Sequence, residues 1–192
     1  MKYVFTKGKI LNGKKDMQVQ EGRTILVEDG KITEILPAKE AARRNLAASG
    51  YEEIDLQGKY ILPGLINMHV HLAGNGKPQK KQRDNEALVK KIMSNGLTKA
   101  IAYNMVCGFA KDELCSGVTT IRTVGGLGDF DTRLREDIAA GKKSGPRILA
   151  ANEGISVPGG HMAGSVAIAA GSIEEALQQL EVAKAQKVDL VK

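Results

Sequence analysis

At 192 residues the chain has room for one domain or one and a half, and for a sizeable buried core. Its hydrophobic share of 42% and charged share of 26% are those of an ordinary soluble protein, while 4% aromatic residues and no tryptophan argue against a stacking platform for single-stranded nucleic acid. The net charge of +6 is densest at Lys77-Pro78-Gln79-Lys80-Lys81-Gln82-Arg83; without interleaved aromatics this run reads as a solvated loop rather than a nucleic-acid patch. No stretch approaches the length of a membrane span, and Met1 to Thr6 lacks the long apolar core of a signal peptide. Cys107 and Cys115 form neither a zinc-ribbon nor a redox spacing, so a reduced pair and a cytoplasmic location are expected.

Residues 1–60 read as short strands. Tyr3-Val4-Phe5 and Ile10-Leu11 come first, each followed by a turn signal. Thr24–Glu28 and Lys31–Leu36 follow, joined by Asp29-Gly30. That dipeptide predicts a type I′ hairpin, because the turn needs positive φ at both positions. Pro37 stops the second strand, 38–48 reads as a short helical connector, and Ile54-Asp55-Leu56 closes the segment. Strands this short need a partner sheet, and they read as scaffold.

From residue 61 to 192 the pattern becomes strands alternating with helices, the signature of a parallel α/β unit. Tyr60 to Ile66 is an apolar run that leads through Pro63-Gly64 into His69-Val70-His71. Helices are predicted over Asp84 to Asn95, with Asp84 or Asn85 at the N-cap, and over Leu97 to Cys115. Gly117 to Val124 is a β-branched strand that ends in Gly125-Gly126-Leu127-Gly128. Neither phosphate-loop spacing is present there, so these glycines read as a tight turn. A helix over Asp129 to Ala140 follows, with Asp129 as N-cap, and Arg122 inside the strand is expected to be paired within the fold. Gly145 to Ala151 is a third strand, 152–164 a loop carrying Gly159-Gly160-His161, and Ser172-Ile173-Glu174-Glu175 a capping box opening a helix to about Lys187. Val188 to Lys192 is a fourth strand.

The chemistry concentrates at His69 and His71. Residues two apart on a strand project to one face, so the two imidazoles form a chelating pair for a divalent metal, with Met68 and Val70 turned the other way. Two of the chain's three histidines fall in this stretch.

The run Pro63-Gly64-Leu65-Ile66-Asn67-Met68-His69-Val70-His71 resembles the first-strand signature of the metal-dependent amidohydrolase superfamily, which commonly has Asp where this chain has Asn67. The resemblance implies a (β/α)8 barrel carrying one or two metals at the C-terminal ends of its strands, plus a small β-sandwich formed partly by residues 1–60. It also implies that His69 and His71 bind the buried metal. Lys192, by strand order, would be carboxylated by CO2 and bridge to a second metal, with two zinc ions about 3.5–4 Å apart sharing a hydroxide. His161, on the rim, would touch substrate. Further histidines and a catalytic aspartate are expected beyond residue 192. A barrel needs about 250 residues, and four of eight strands are found here. The residues therefore read as a first half, interrupted at the modified lysine; a half-barrel that pairs with itself, or serves metal binding or assembly without catalysis, competes.

The Gly117-Val118-Thr119-Thr120-Ile121-Arg122 strand, Gly159-Gly160-His161 and the Val188-Asp189-Leu190-Val191-Lys192 ending are most similar to prolidase-like dipeptidases and Xaa-Arg or Xaa-Lys carboxypeptidases, near the imidazolonepropionases. That branch implies hydrolysis of a dipeptide or a C-terminal residue, by a homo-oligomer with no nucleic-acid or membrane partner. A cyclic-amide hydrolase or deaminase of the same superfamily is the second enzyme reading, and an unmodified Lys192 would favour the deaminase.

Overall fold

The structure, a computed structural model, describes residues 1–76 and 84–192, so the basic run at 77–83 lies outside the described residues. The chain divides into two compact units, Met1–Pro63 and Gly64–Lys192, with the division three residues later than the sequence pattern placed it.

The first unit contains β1 (Lys2–Thr6), β2 (Lys9–Leu11), β3 (Val19–Gln20), β4 (Arg23–Glu28), β5 (Lys31–Pro37), the single-turn α1 (Ala38–Ala41), β6 (Glu52–Asp55) and β7 (Tyr60–Ile61). Two sheets result, ordered β5-β4-β1-β6 and β3-β2-β7. The β4–β5 hairpin turns on Asp29 (φ 48°) and Gly30 (φ 77°), the left-handed pair that a type I′ turn demands. Val4, Leu26, Leu36 and Ala41 form a small core, onto which Leu46 and Tyr51 fold from the connector. The two-residue β3 carries no apolar alternation and was not expected from the sequence.

The second unit contains β8 (Leu65–Val70), α2 (Asn85–Met93), α3 (Gly96–Cys115), β9 (Val118–Thr123), α4 (Phe130–Ala139), β10 (Arg147–Leu149), β11 (Gly154–Ser156), β12 (Ala167–Ala169) and α5 (Ile173–Ala185). Strands β8, β9 and β10 are parallel and lie side by side in chain order, the sequential winding of a βα barrel rather than of a doubly wound sheet. Helix α3 buries Ala102, Tyr103, Val106 and Ala110, a stripe at helical spacing, against Ile121, Leu134 and Ile148 from the strands and α4. Asp84 and Asn95 cap α2 and α3 by accepting from the amides of Ala87 and Thr98. Asp129 occupies the N-cap of α4, but its side chain makes no capping bond, because its backbone (φ −96°, ψ 14°) is not extended as a cap requires.

Two expected strands differ. The run from Tyr60 serves two sheets in succession: Tyr60–Ile61 pairs with β2, and β8 begins only at Leu65. Pro63 offers no amide to a ladder, and a Cβ at Gly64 would lie 2.0 Å from the Thr119 hydroxyl oxygen, so the backbone passes there only as glycine. The segment 188–192 is irregular, with a bend at Asp189, and is not a ladder strand. The Asp189 amide donates to the Ala150 carbonyl (2.8 Å), yet the Ala150 amide is taken by the Asp189 carboxylate (2.8 Å) instead of by a backbone carbonyl. Arg135 holds that carboxylate at 2.6 Å. The loop at 152–164 contains β11, which pairs in parallel with β12, a small two-stranded sheet that the sequence did not announce.

The capping box on α5 forms: the Ser172 hydroxyl accepts from the Glu175 amide (3.2 Å), and the Glu175 carboxylate reaches back to the Gly171 amide (2.6 Å). Ser172→Ala is expected to cost about 1 kcal/mol in urea unfolding. No measurable change would mean that the helix starts without this bond.

Candidate metal centre

His69 is the fifth residue of β8 and His71 follows the strand's last residue, so both sit at its C-terminal end. The strand is not regular there. From Asn67 to Val70 it advances three residues while β9 advances only two, from Ile121 to Thr123. The excess forms a bulge, the kind of irregularity that re-aims side chains beside functional sites. Its freed backbone groups are satisfied locally. Asn67 Oδ1 accepts from the His69 amide (3.2 Å), and Arg122 Nε donates to the Met68 carbonyl (2.8 Å). Arg122 is thus paired within the fold, as expected. An asparagine where the resembled signature carries aspartate keeps the oxygen that this bond needs. The outcome for the neighbours is mixed: Val70 is buried at 7% exposure, but Met68 is 47% exposed, since the bulge breaks the alternation and β9 is the one strand paired with β8 among the described residues.

The two rings converge. Their Nε2 atoms are 3.3 Å apart, with ring centroids at 5.2 Å and planes at 60°. His71 Nδ1 faces the Gly125 carbonyl at 3.0 Å. A carbonyl only accepts, so Nδ1 carries the proton and donates, which leaves the His71 Nε2 lone pair turned toward His69. Two nitrogens bound to one tetrahedral zinc at about 2.0–2.1 Å stand about 3.3–3.4 Å from each other, so the pair has the spacing of one edge of such a site. The residues fit a divalent cation. Without one, a proton on His69 Nε2 bridges the same gap. Burial pushes the His71 imidazole below its usual range. The charges of Lys192, His69 and His161 push it the same way, and the Gly125 carbonyl opposes them.

His161 and Lys192 lie elsewhere. They line one cavity of about 130 Å³ together with Val124, Ser156 and Val166. The Lys192 carbonyl accepts from the Ile155 amide (2.8 Å), which fixes the backbone of that residue beside β11. His69 and His71 line a separate, wider cleft of about 540 Å³ closed by the C-terminal turns of α3. The structure therefore brings together the two histidines as one pair and places His161 with Lys192 in another cavity; the charges of His69, His161 and Lys192 all act on His71. Among the described residues no third His, Cys, Asp or Glu joins the histidines to complete a coordination sphere.

Several rim groups were not anticipated. Gly125 supplies the carbonyl for His71. Glu153 follows β10, its carboxyl pushed up by burial and by Asp129 while the Gly128 amide opposes. Asp131, at 1% exposure, lies in the first turn of α4; burial raises its carboxyl to about 6 against the pull of the Thr123 hydroxyl and the Asn152 amide. The signal available in the sequence was two aspartates bracketing Phe130 directly after four residues of which three are glycine.

A parallel βα sheet wound in chain order, with two histidines at the C-terminal end of its first strand, is the architecture of a βα barrel. The model of the amidohydrolase family matches residues 60–192. The chain belongs to the amidohydrolase family. It is similar to a dihydroorotase of Bacillus cytotoxicus, with 37% identity over 81 residues, 42% of this chain and 17% of that protein. Among solved structures it is similar to a candidate prolidase from Bifidobacterium longum, with 30% identity and a TM-score of 0.70 over 97% of this chain and 39% of the other. A prolidase in complex with N-methylphosphonate-L-proline shares the fold at 19% identity, with a TM-score of 0.75 over 100% of this chain and 46% of the other. The chain spans less than half the length of each. Among the described residues no helix is long and apolar enough to cross a membrane.

Proposed function

We propose that this chain contributes to a metal-dependent hydrolase that cleaves an amide bond in a small substrate, a dipeptide or a C-terminal residue. The observation that carries the proposal is the His69–His71 pair, with Nε2 atoms 3.3 Å apart and the His71 tautomer held by Gly125. The prolidase likeness at 30% identity across 97% of the chain supports the substrate class. A bound divalent cation, zinc by ligand type, supplies Lewis acidity toward the amide carbonyl and lowers the pKa of water. The chain's own part is to hold two neutral imidazoles at ligand spacing and to present Lys192 and His161 from one cavity. Lys192 is proposed to become a ligand by reaction with CO2, since an ammonium cannot ligate a cation whereas a carbamate offers two oxygens. His161 is proposed to donate to the substrate.

A second reading, hydrolysis of a cyclic amide, is favoured by the 37% identity to a dihydroorotase, although that match covers 81 residues. Hydrolysis of dipeptides ending in proline, arginine or lysine, assayed against dihydroorotate as competitor substrate, separates the two. Zinc or cobalt uptake measured in the same preparation should be lost in His69→Ala and His71→Ala and weakened when bicarbonate is depleted. Equal metal uptake by the wild type and both alanine variants would sink the proposal.

A further inference from the structure

Asp131 packs against the glycine loop whose Gly125 carbonyl meets His71. Its carboxylate is buried, and Oδ2 has no hydrogen-bond partner among the described residues. A buried oxygen without a partner is costly, and such groups persist where they serve some other purpose. What Oδ2 does touch is the glycine loop. A Cβ on Gly126 would lie 2.7 Å from Asp131 Oδ2 and 3.0 Å from its Cγ, so the carboxylate packs directly against the Gly126 backbone. A Cβ on the neighbouring Gly125 would lie 3.2 Å from His71 Nδ1 and Cε1 and 3.1 Å from the Val166 carbonyl. Gly125 adopts φ 129°, a conformation that side-chain-bearing residues rarely take. Two consecutive glycines are therefore closely packed, Gly126 against a carboxylate and Gly125 against an imidazole and a carbonyl. The carboxylate cannot give way easily, because it belongs to the first turn of α4 and the Thr123 hydroxyl and Asn152 amide lie against it. Asn152 is itself fixed: its Oδ1 accepts from the Thr132 amide (3.0 Å), and its Nδ2 donates to the Thr132 hydroxyl (3.0 Å) and to Gln186 Oε1 (2.8 Å).

We infer that Asp131 is a positioning residue: by bracing Gly126 it holds the Gly125 carbonyl against His71 Nδ1 and so fixes the His71 tautomer that leaves Nε2 free to ligate. The significance for metal binding rests on the proposed hydrolase reading, but the tautomer is measured without metal, so the two can fail separately.

The test uses the full chain, metal-free, with 15N-labelled histidine, at a pH above the histidine range. In the wild type His71 shows a protonated-type Nδ1 and an unprotonated-type Nε2. Asp131→Asn keeps the brace's shape and retains this pattern. Asp131→Ala removes the brace, and Gly126→Ala pushes on it from the loop side; each is expected to average the two nitrogens and to weaken zinc binding about tenfold, as loss of an outer support does. The inference is overturned if either variant keeps a native amide spectrum and leaves the His71 nitrogens unmoved. Should Asp131→Ala not fold, Gly126→Ala decides. If neither folds, the contact serves the core rather than His71, and the inference falls as well.

Discussion

Leu134→Ala lowers the unfolding free energy by roughly 2–5 kcal/mol, the range for deleting a fully enclosed leucine side chain. Leu134 has 0% exposure on the inner face of α4 and packs in one cluster with Tyr103, Ile121, Phe130 and Ile148. These residues come from two helices and two neighbouring strands, so the cavity left behind has walls that cannot close independently. Ile121, also at 0%, lies in the middle of the three-stranded sheet, and Tyr103 is tethered by its hydroxyl to Asp137 at 2.7 Å. Urea unfolding with an unchanged slope and a lower midpoint is the expected record. A loss below about 1 kcal/mol would show that the core collapses around the gap, contrary to the rigidity inferred here.

The second large effect is a pH dependence. A carboxyl raised from 3.8 to about 6 in the folded state holds its proton across a window in which the unfolded chain has already released it. Stability from this group therefore falls as pH rises from about 4 to about 6, and then levels off. At about 1.4 kcal/mol per unit, the penalty above pH 6 is on the order of 3 kcal/mol. Asp131→Asn has no such ionisation, so the wild type should gain on the variant by about 2–3 kcal/mol when both are moved from pH 7.5 to pH 4. His71, shifted down, contributes with the opposite sign over a window ending near 6.5, but it is present in both proteins and cancels in the comparison. Parallel pH profiles for the two proteins would show that Asp131 is solvated or otherwise neutralised in the folded state.

The features legible in the sequence were those set by neighbouring residues. Asp29-Gly30 specified a turn through two positive φ angles, Asp84 and Ser172 specified helix starts through their own side-chain oxygens, and His69 and His71 announced a shared face by spacing. What was not legible depended on distant partners. The segment at 188–192 looked like any β-branched strand until Asp189 intercepted the Ala150 amide, 39 residues away. The β11–β12 sheet unites two short runs whose only common feature is that they meet. Asp131 read as one more acidic residue at a helix start; its burial exists because Thr123 and the residues after β10 close over it. Gly125 read as a turn glycine, and its carbonyl became a histidine partner only when β8 and β9 lay side by side. Arg122 fared better, since a guanidinium inside a strand must find an acceptor nearby.

The register slip between β8 and β9 carries a lesson for anyone transplanting this pair of histidines onto another scaffold. A His-X-His written into a straight strand would copy the residues and lose the register in which they stand. The extra residue, the amide held by Asn67 and the carbonyl held by Arg122 would have to travel with them. The smallest portable unit is thus two strands of equal count that slip out of step and back again, with their two polar fasteners, and a deletion of Met68 that tidied the ladder would be the more damaging edit.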